Sequence, residues 1–233
     1  MNMNMSMRIA GVALVLAFAS LRIWAYPNLN ATTGILAVPT AEVVRARTIS
    51  WAGDVLFFDD TTLNARAIYG LTDRLEVGAG VIVGNDTALG VSAKYYTGVD
   101  VGGFTWALGA TLITGNEVGD GTQLYLAGSR PFGVQQENGT GLVGTVGVNF
   151  TDLENRSALR PFVGAQLRLD TATEVAGEFV LESGDFGDSI FSLLVRQQLS
   201  DRLTGQLGLT NAYGFTGAEN GIFFIGAAYA LGR

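Results

Sequence analysis

Residues 103–114 read GFTWALGATLIT, and the stretch alternates without a break. Phe104, Trp106, Leu108, Ala110 and Leu112 share one face of an extended chain, while Thr105, Ala107, Gly109 and Thr111 share the other. Successive side chains of a strand point to opposite faces, so period two marks a strand and is foreign to a helix. The large apolar side chains own one face, and the opposite face is small or polar.

The pattern recurs. In 173–183, Val175, Gly177, Phe179 and Leu181 oppose Glu174, Ala176, Glu178 and Glu182. In 157–169, Val163, Ala165, Leu167 and Leu169 oppose Arg160, Gly164, Gln166 and Arg168. In 74–84, Leu75, Val77, Ala79, Val81 and Val83 oppose Arg74, Glu76, Gly78, Gly80 and Ile82. Segment 122–132 is ambiguous by this test. Twelve such segments follow one another: 48–58, 61–71, 74–84, 87–97, 103–114, 122–132, 141–151, 157–169, 173–183, 190–200, 202–213 and 221–232. Gly/Asp/Asn/Thr clusters separate them and supply the turns. One turn is used twice, as GLTDRLEVGAG at 70–80 and as LSDRLTGQLG at 199–208, both after even-numbered strands.

Length decides between two architectures. Strands of a soluble sandwich average about 5–6 residues, whereas a tilted strand needs about 9–11 to cross a bilayer. A membrane tolerates strands only as a closed barrel, and the count here is even. The expected fold is therefore all-β, a closed antiparallel up-and-down transmembrane barrel of about twelve strands, with ten or fourteen as alternatives. Aromatic residues sharpen this. If strand one rises from the periplasm, Phe57, Phe150, Phe191, Tyr213 and Phe223 fall at the outer rim. Trp51, Tyr69, Tyr95, Trp106, Phe132 and Tyr229 fall at the inner rim, giving the two girdles that amphipathic rings form at membrane boundaries. Even-numbered connections are mostly short; odd-numbered ones are on average longer, acidic and glycine-rich, as extracellular loops are.

Composition excludes much chemistry. The 233 residues contain no cysteine and no histidine, which removes disulfides, thiolate metal sites and the usual general base. No metal site or cofactor is expected, since no loop has ligands at EF-hand spacing. At the N-terminus, Arg8 precedes the apolar run 9–21, the plan of a secretory signal over 1–25 with cleavage after Ala19 or Ala25. Cleavage after Ala25 removes Arg8 and Arg22 and leaves 12 basic against 21 acidic residues, which speaks against a nucleic-acid partner. Residues 26–47 carry two of the four prolines and are either a periplasmic tether or a plug in the barrel mouth; the barrel spans 48–233.

The closing GIFFIGAAYALGR (221–233), with Gly226, Tyr229 and Leu231, resembles the terminal-strand signal of bacterial outer-membrane β-barrel proteins, which the barrel assembly machinery reads. Family members commonly end on an aromatic residue, whereas this chain runs on to Arg233. TGILAVPTAEV (33–43) is similar to the T-G-[LI]-x-x-x-P-T-A opening of small outer-membrane barrels, some linked to exopolysaccharide export. The resemblance implies the bacterial outer membrane, with its lipid and assembly machinery as partners and a homo-oligomer as a further option. It carries no particular substrate. Outer-membrane phospholipases of twelve strands use a Ser–His pair, so the missing histidine argues against an enzyme.

If apolar faces meet lipid, the inward residues include Asp54, Asn64, Arg66, Glu76, Lys94, Arg160, Gln166, Arg168, Glu174, Glu178, Glu182 and Arg196. A turn near 170–172 pairs Arg168 with Glu174 and Arg160 with Glu182, and the pleat then allows Arg196 opposite Glu178. The expected function is a passive channel for small hydrophilic solutes, with Arg160, Arg168, Glu174, Glu178, Glu182 and Arg196 at a charged constriction. The alternative is a non-conducting barrel for envelope structure, adhesion or polysaccharide export, in which the same ladder holds the register.

Overall fold

A computed structural model describes residues 26–57, 61–84, 87–116, 119–133, 140–153, 156–181, 189–213 and 217–232, with backbone alone at 213 and 217–222. The signal segment 1–25 and Glu182 lie outside the described residues, as does the side chain of Tyr213. Twelve strands form: β1 (Ile49–Phe57), β2 (Thr61–Thr72), β3 (Leu75–Val83), β4 (Thr87–Val101), β5 (Phe104–Gly115), β6 (Gly121–Phe132), β7 (Gly141–Leu153), β8 (Arg156–Arg168), β9 (Thr173–Val180), β10 (Ile190–Gln198), β11 (Leu203–Tyr213) and β12 (Gly217–Leu231). Each pairs antiparallel with its sequence neighbours, and β1 pairs with β12 from Ile49↔Leu231 to Phe57↔Phe223. The barrel is closed, so no edge strand is left with unpaired backbone groups.

Alternation sorts the two faces. Trp51, Leu63, Leu108, Leu112, Val163, Leu193 and Ile225 are exposed on the outside, Leu112 by 62%. Asp54, Arg66, Glu76, Lys94, Arg160, Glu174 and Arg196 are buried inside. An outer surface of exposed aliphatic and aromatic side chains on every strand suits hydrocarbon, and water would not tolerate a patch of that extent. The ambiguous segment resolves as β6, with Gln123, Tyr125, Ala127 and Ser129 buried and Leu124 and Leu126 exposed.

Two strands run four residues beyond the expected limits. β4 reaches Val101 because its register with β5 shifts between Tyr96 and Asp100, and Gly102 and Gly103, both at positive φ, then close the turn. β12 begins at Gly217. The repeated turn is capped by hydroxyls. Thr72 Oγ1 accepts from the Arg74 N–H, and Ser200 Oγ from the N–H groups of Arg202 and Leu203. Asp73 instead accepts from the Ala46 N–H, outside its own turn.

Candidate functional site

The barrel interior is occupied by the chain's own residues 26–44. The chain leaves β1 at the end of the barrel that carries the even-numbered turns. There Thr48 and Arg47 exchange backbone bonds with Gly70, and the chain turns inward. Two small loops follow, closed by the bridges Gly34↔Pro39 and Pro27↔Thr33. The second is tied by Asn28, whose Oδ1 accepts from the N–H groups of Asn30 and Thr32 and the Thr32 hydroxyl. This is ordinary Asx-turn chemistry, and Pro27, Asn28, Gly34 and Pro39 are its signals in the sequence. From Tyr26 to Ala41 nearly every residue is buried.

A buried backbone needs partners for each N–H and C=O, and inward side chains of the barrel supply them. On β9, Glu178 accepts from three consecutive N–H groups: Leu36 at 3.0 Å, Ala37 at 2.7 Å and Val38 at 3.0 Å. Its remaining partner is the Ser192 hydroxyl at 2.7 Å. On β3, Glu76 accepts from Thr33 N–H at 2.7 Å, the Thr33 hydroxyl and Val44 N–H at 2.8 Å, and pairs with Lys94 at 3.1 Å. Lys94 donates onward to the carbonyls of Thr33 and Thr40. Arg196 donates to those of Gly34 and Ile35, Arg66 to Pro27, and Ser92 to Ala31; Ser129 accepts from Ala41 N–H. The Tyr26 ring lies against the guanidinium of Arg196, 4.3 Å from ring centre to carbon.

Behind these contacts runs a belt of charge. Arg168 lies 3.9 Å from Glu174; Glu174 pairs with Arg196 at 3.0 Å; Arg196 donates to Gln206, and Gln206 to Asp54 at 2.8 Å. Asp54 pairs with Arg66, which donates to Asn64. The belt spans β8 to β2 and crosses β12 at Gly226, which sits between Gln206 and Asp54 in the register. A side chain there would collide with the Asp54 carboxylate, so glycine opens the crossing.

Of the expected constriction, the structure joins Arg168, Glu174 and Arg196. The Arg168↔Glu174 pairing stands as expected. The expected Arg196–Glu178 pairing does not form, because Arg196 faces Glu174 and Glu178 faces Ser192. The pleat fixes which side chains point inward, yet registers an even number of residues apart, here four, satisfy it equally. Arg160 is buried and donates to the Leu181 carbonyl at 3.4 Å; its expected partner Glu182 lies outside the described residues. On the outer face, Trp51, Phe57, Tyr69, Tyr95, Phe132, Phe150, Phe191, Phe223 and Tyr229 are exposed and Trp106 is half-buried. Trp51 stands beside Tyr229, and Phe57 stacks on Phe223 at 5.9 Å. Gln206, Ser92, Ser129 and Ser192 were not singled out in the sequence, and only their place on inward faces could have marked them.

No family model and no curated protein matches the sequence. Solved structures do. The KdgM porin superposes with a TM-score of 0.63 at 11% identity, covering 79% of this chain and 99% of that one. The NanC porin gives 0.61 at 9% identity, covering 78% and 100%. Omp33 of Acinetobacter baumannii gives 0.54 at 10%, covering 79% and 97%. The fold is that of a porin-like outer-membrane barrel. At such identity the likeness extends to architecture alone, and the lumen must be read from its own residues.

Proposed function

We propose that this chain is a solute channel of the bacterial outer membrane, held closed by its own N-terminal segment. The observation that carries the reading is the seating of residues 26–44 in the lumen through Glu76, Glu178, Lys94 and Arg196. The even-numbered turns, the start of β1 and the end of β12 face the periplasm, and the two aromatic rows sit at the two lipid boundaries. β12, bearing Gly226, Tyr229 and Leu231, is the strand the assembly machinery would read, and it closes the barrel on β1. Of the constriction expected for small hydrophilic solutes, Glu178 and Arg196 hold the segment's backbone in the closed state, joined by Glu76 and Lys94, and these four groups meet solute when the segment moves.

The full satisfaction of these charges also favours the second reading, a non-conducting barrel for envelope structure, adhesion or polysaccharide export. Single-channel recording in planar bilayers separates the two. The wild-type chain should conduct rarely, and Glu178→Gln should conduct often, because one carboxylate then stops collecting three N–H groups. A Glu178→Gln barrel that inserts and stays silent would overturn the channel.

A further inference from the structure

Segment 27–44 is gripped by its main chain. Glu76, Glu178 and Ser129 accept from its N–H groups, while Lys94, Arg196 and Ser92 donate to its carbonyls. The Thr33 hydroxyl adds a side-chain bond to the wall, at Glu76. Such a grip is indifferent to side-chain identity. Three successive N–H groups converging on one carboxylate form an anion-binding concavity that any peptide can offer in a suitable turn.

A second observation concerns the segment's apolar side chains. Leu29, Ile35, Leu36 and Val38 pack in one cluster with wall residues Leu56, Tyr125, Phe162, Val180, Leu194 and Phe224. Gly164 on β8 leaves the space that the end of Ile35 fills. Vacated, the lumen would therefore present carboxylates and cations spaced for amides beside a wall of bare hydrocarbon. A hydrocarbon ligand would leave the buried charges unpaired, which is costly. An acidic oligosaccharide would set its carboxylates against Glu76 and Glu178 and its hydroxyls against the apolar wall. A peptide with small apolar side chains answers both surfaces at once.

We propose that the lumen is a binding site for short, uncharged, apolar peptides, and that segment 27–44 occupies it as an internal stand-in. The inference rests on the channel reading only in that the segment must move for the site to be reached.

The test uses the full chain purified in detergent, with Glu76→Gln loosening the base of the segment. Thr33→Val serves as a second loosened form, and heat-modifiable gel mobility checks closure of both. The probe is a dye-labelled, end-blocked Ile-Leu-Ala-Val peptide followed by fluorescence anisotropy. It should bind at least about tenfold more tightly than an Ile-Asp-Ala-Asp peptide and than a galacturonate trimer used as competitor. The same peptide with its backbone N–H groups methylated should bind about tenfold more weakly. Equal competition by the trimer, or binding unmoved by the N-methylation, overturns the proposal. Ion current is recorded on the same preparations. Peptide binding without current upholds the site and sinks the channel, whereas current without peptide binding sinks the site alone.

Discussion

Glu76 and Glu178 grip the same segment from opposite sides of the barrel, since β3 and β9 stand six strands apart in a ring of twelve. Both accept backbone N–H groups, yet their surroundings differ. Glu76 also holds Lys94, which is 1% exposed, and keeps that partner whether the segment is present or absent. Glu178 has no cation within ion-pair distance among the described residues, so the N–H groups of Leu36, Ala37 and Val38 stand in for one. Burial of an ion is tolerated when it is paired and hydrogen-bonded. The side of the lumen that depends on the segment is therefore the β9 side. The β3 side is self-sufficient.

The sharpest way to break this contrast is Glu178→Gln. Hydrogen bonds to a charged group contribute about 1.5–3 kcal/mol, and losing most of that from the closed state raises open probability about a hundredfold at the upper figure. Bilayer recordings check it; an unchanged open probability would mean that the carboxylate does not hold the segment.

Gly226→Val should come next, because its side chain enters the space between Gln206 and the Asp54 carboxylate and cuts the belt that aims Arg196 at the segment. Overpacking of this kind costs about 1–3 kcal/mol, to be read as a lowered denaturant midpoint in detergent with closure retained.

Glu76→Gln should have the smaller effect of the two carboxylate variants. Lys94 keeps its bonds to the Thr33 and Thr40 carbonyls, so a loss of about 1 kcal/mol raises open probability about fivefold. If Glu76→Gln opened the channel more than Glu178→Gln, the contrast would be reversed.

The least effect belongs to Asp170, in the β8–β9 turn away from the lumen. The N–H groups of Ala172 and Thr173 bond its carboxylate at 2.6 and 2.7 Å and hold it below the usual carboxylate range. A depressed value means the turn's contribution is present above the ordinary carboxylate range and is lost as pH falls through the lowered value. Asp170→Ala should thus be slightly less heat-stable than the wild type near neutrality, and the gap should close in strong acid.

How far the sequence reaches follows from the same residues. The strands were legible because alternation is local: Phe104, Trp106 and Leu108 announce their face within five residues. The inward set from Asp54 to Arg196, apart from Glu182, was legible for that reason, being fixed by parity alone. The partner of Arg196 was not, because Glu174 and Glu178 have the same parity and only the full register chooses between them. The seat of residues 26–44 lay further out of reach. Its turn residues were visible, but its partners come from strands up to 162 positions away and bond to backbone atoms that carry no sequence signal.

The central claim, that the segment is the closure, has a direct test in a chain without cysteine. A Cβ built at Gly80 would lie 3.4 Å from the Ala31 Cβ, close to the spacing of about 3.5–4.5 Å that a disulfide spans. An Ala31→Cys, Gly80→Cys pair in the Glu178→Gln background should be silent in planar bilayers when oxidised and conduct once a reductant is added. Equal current in the oxidised and reduced states, with the disulfide confirmed by mass, would contradict the account.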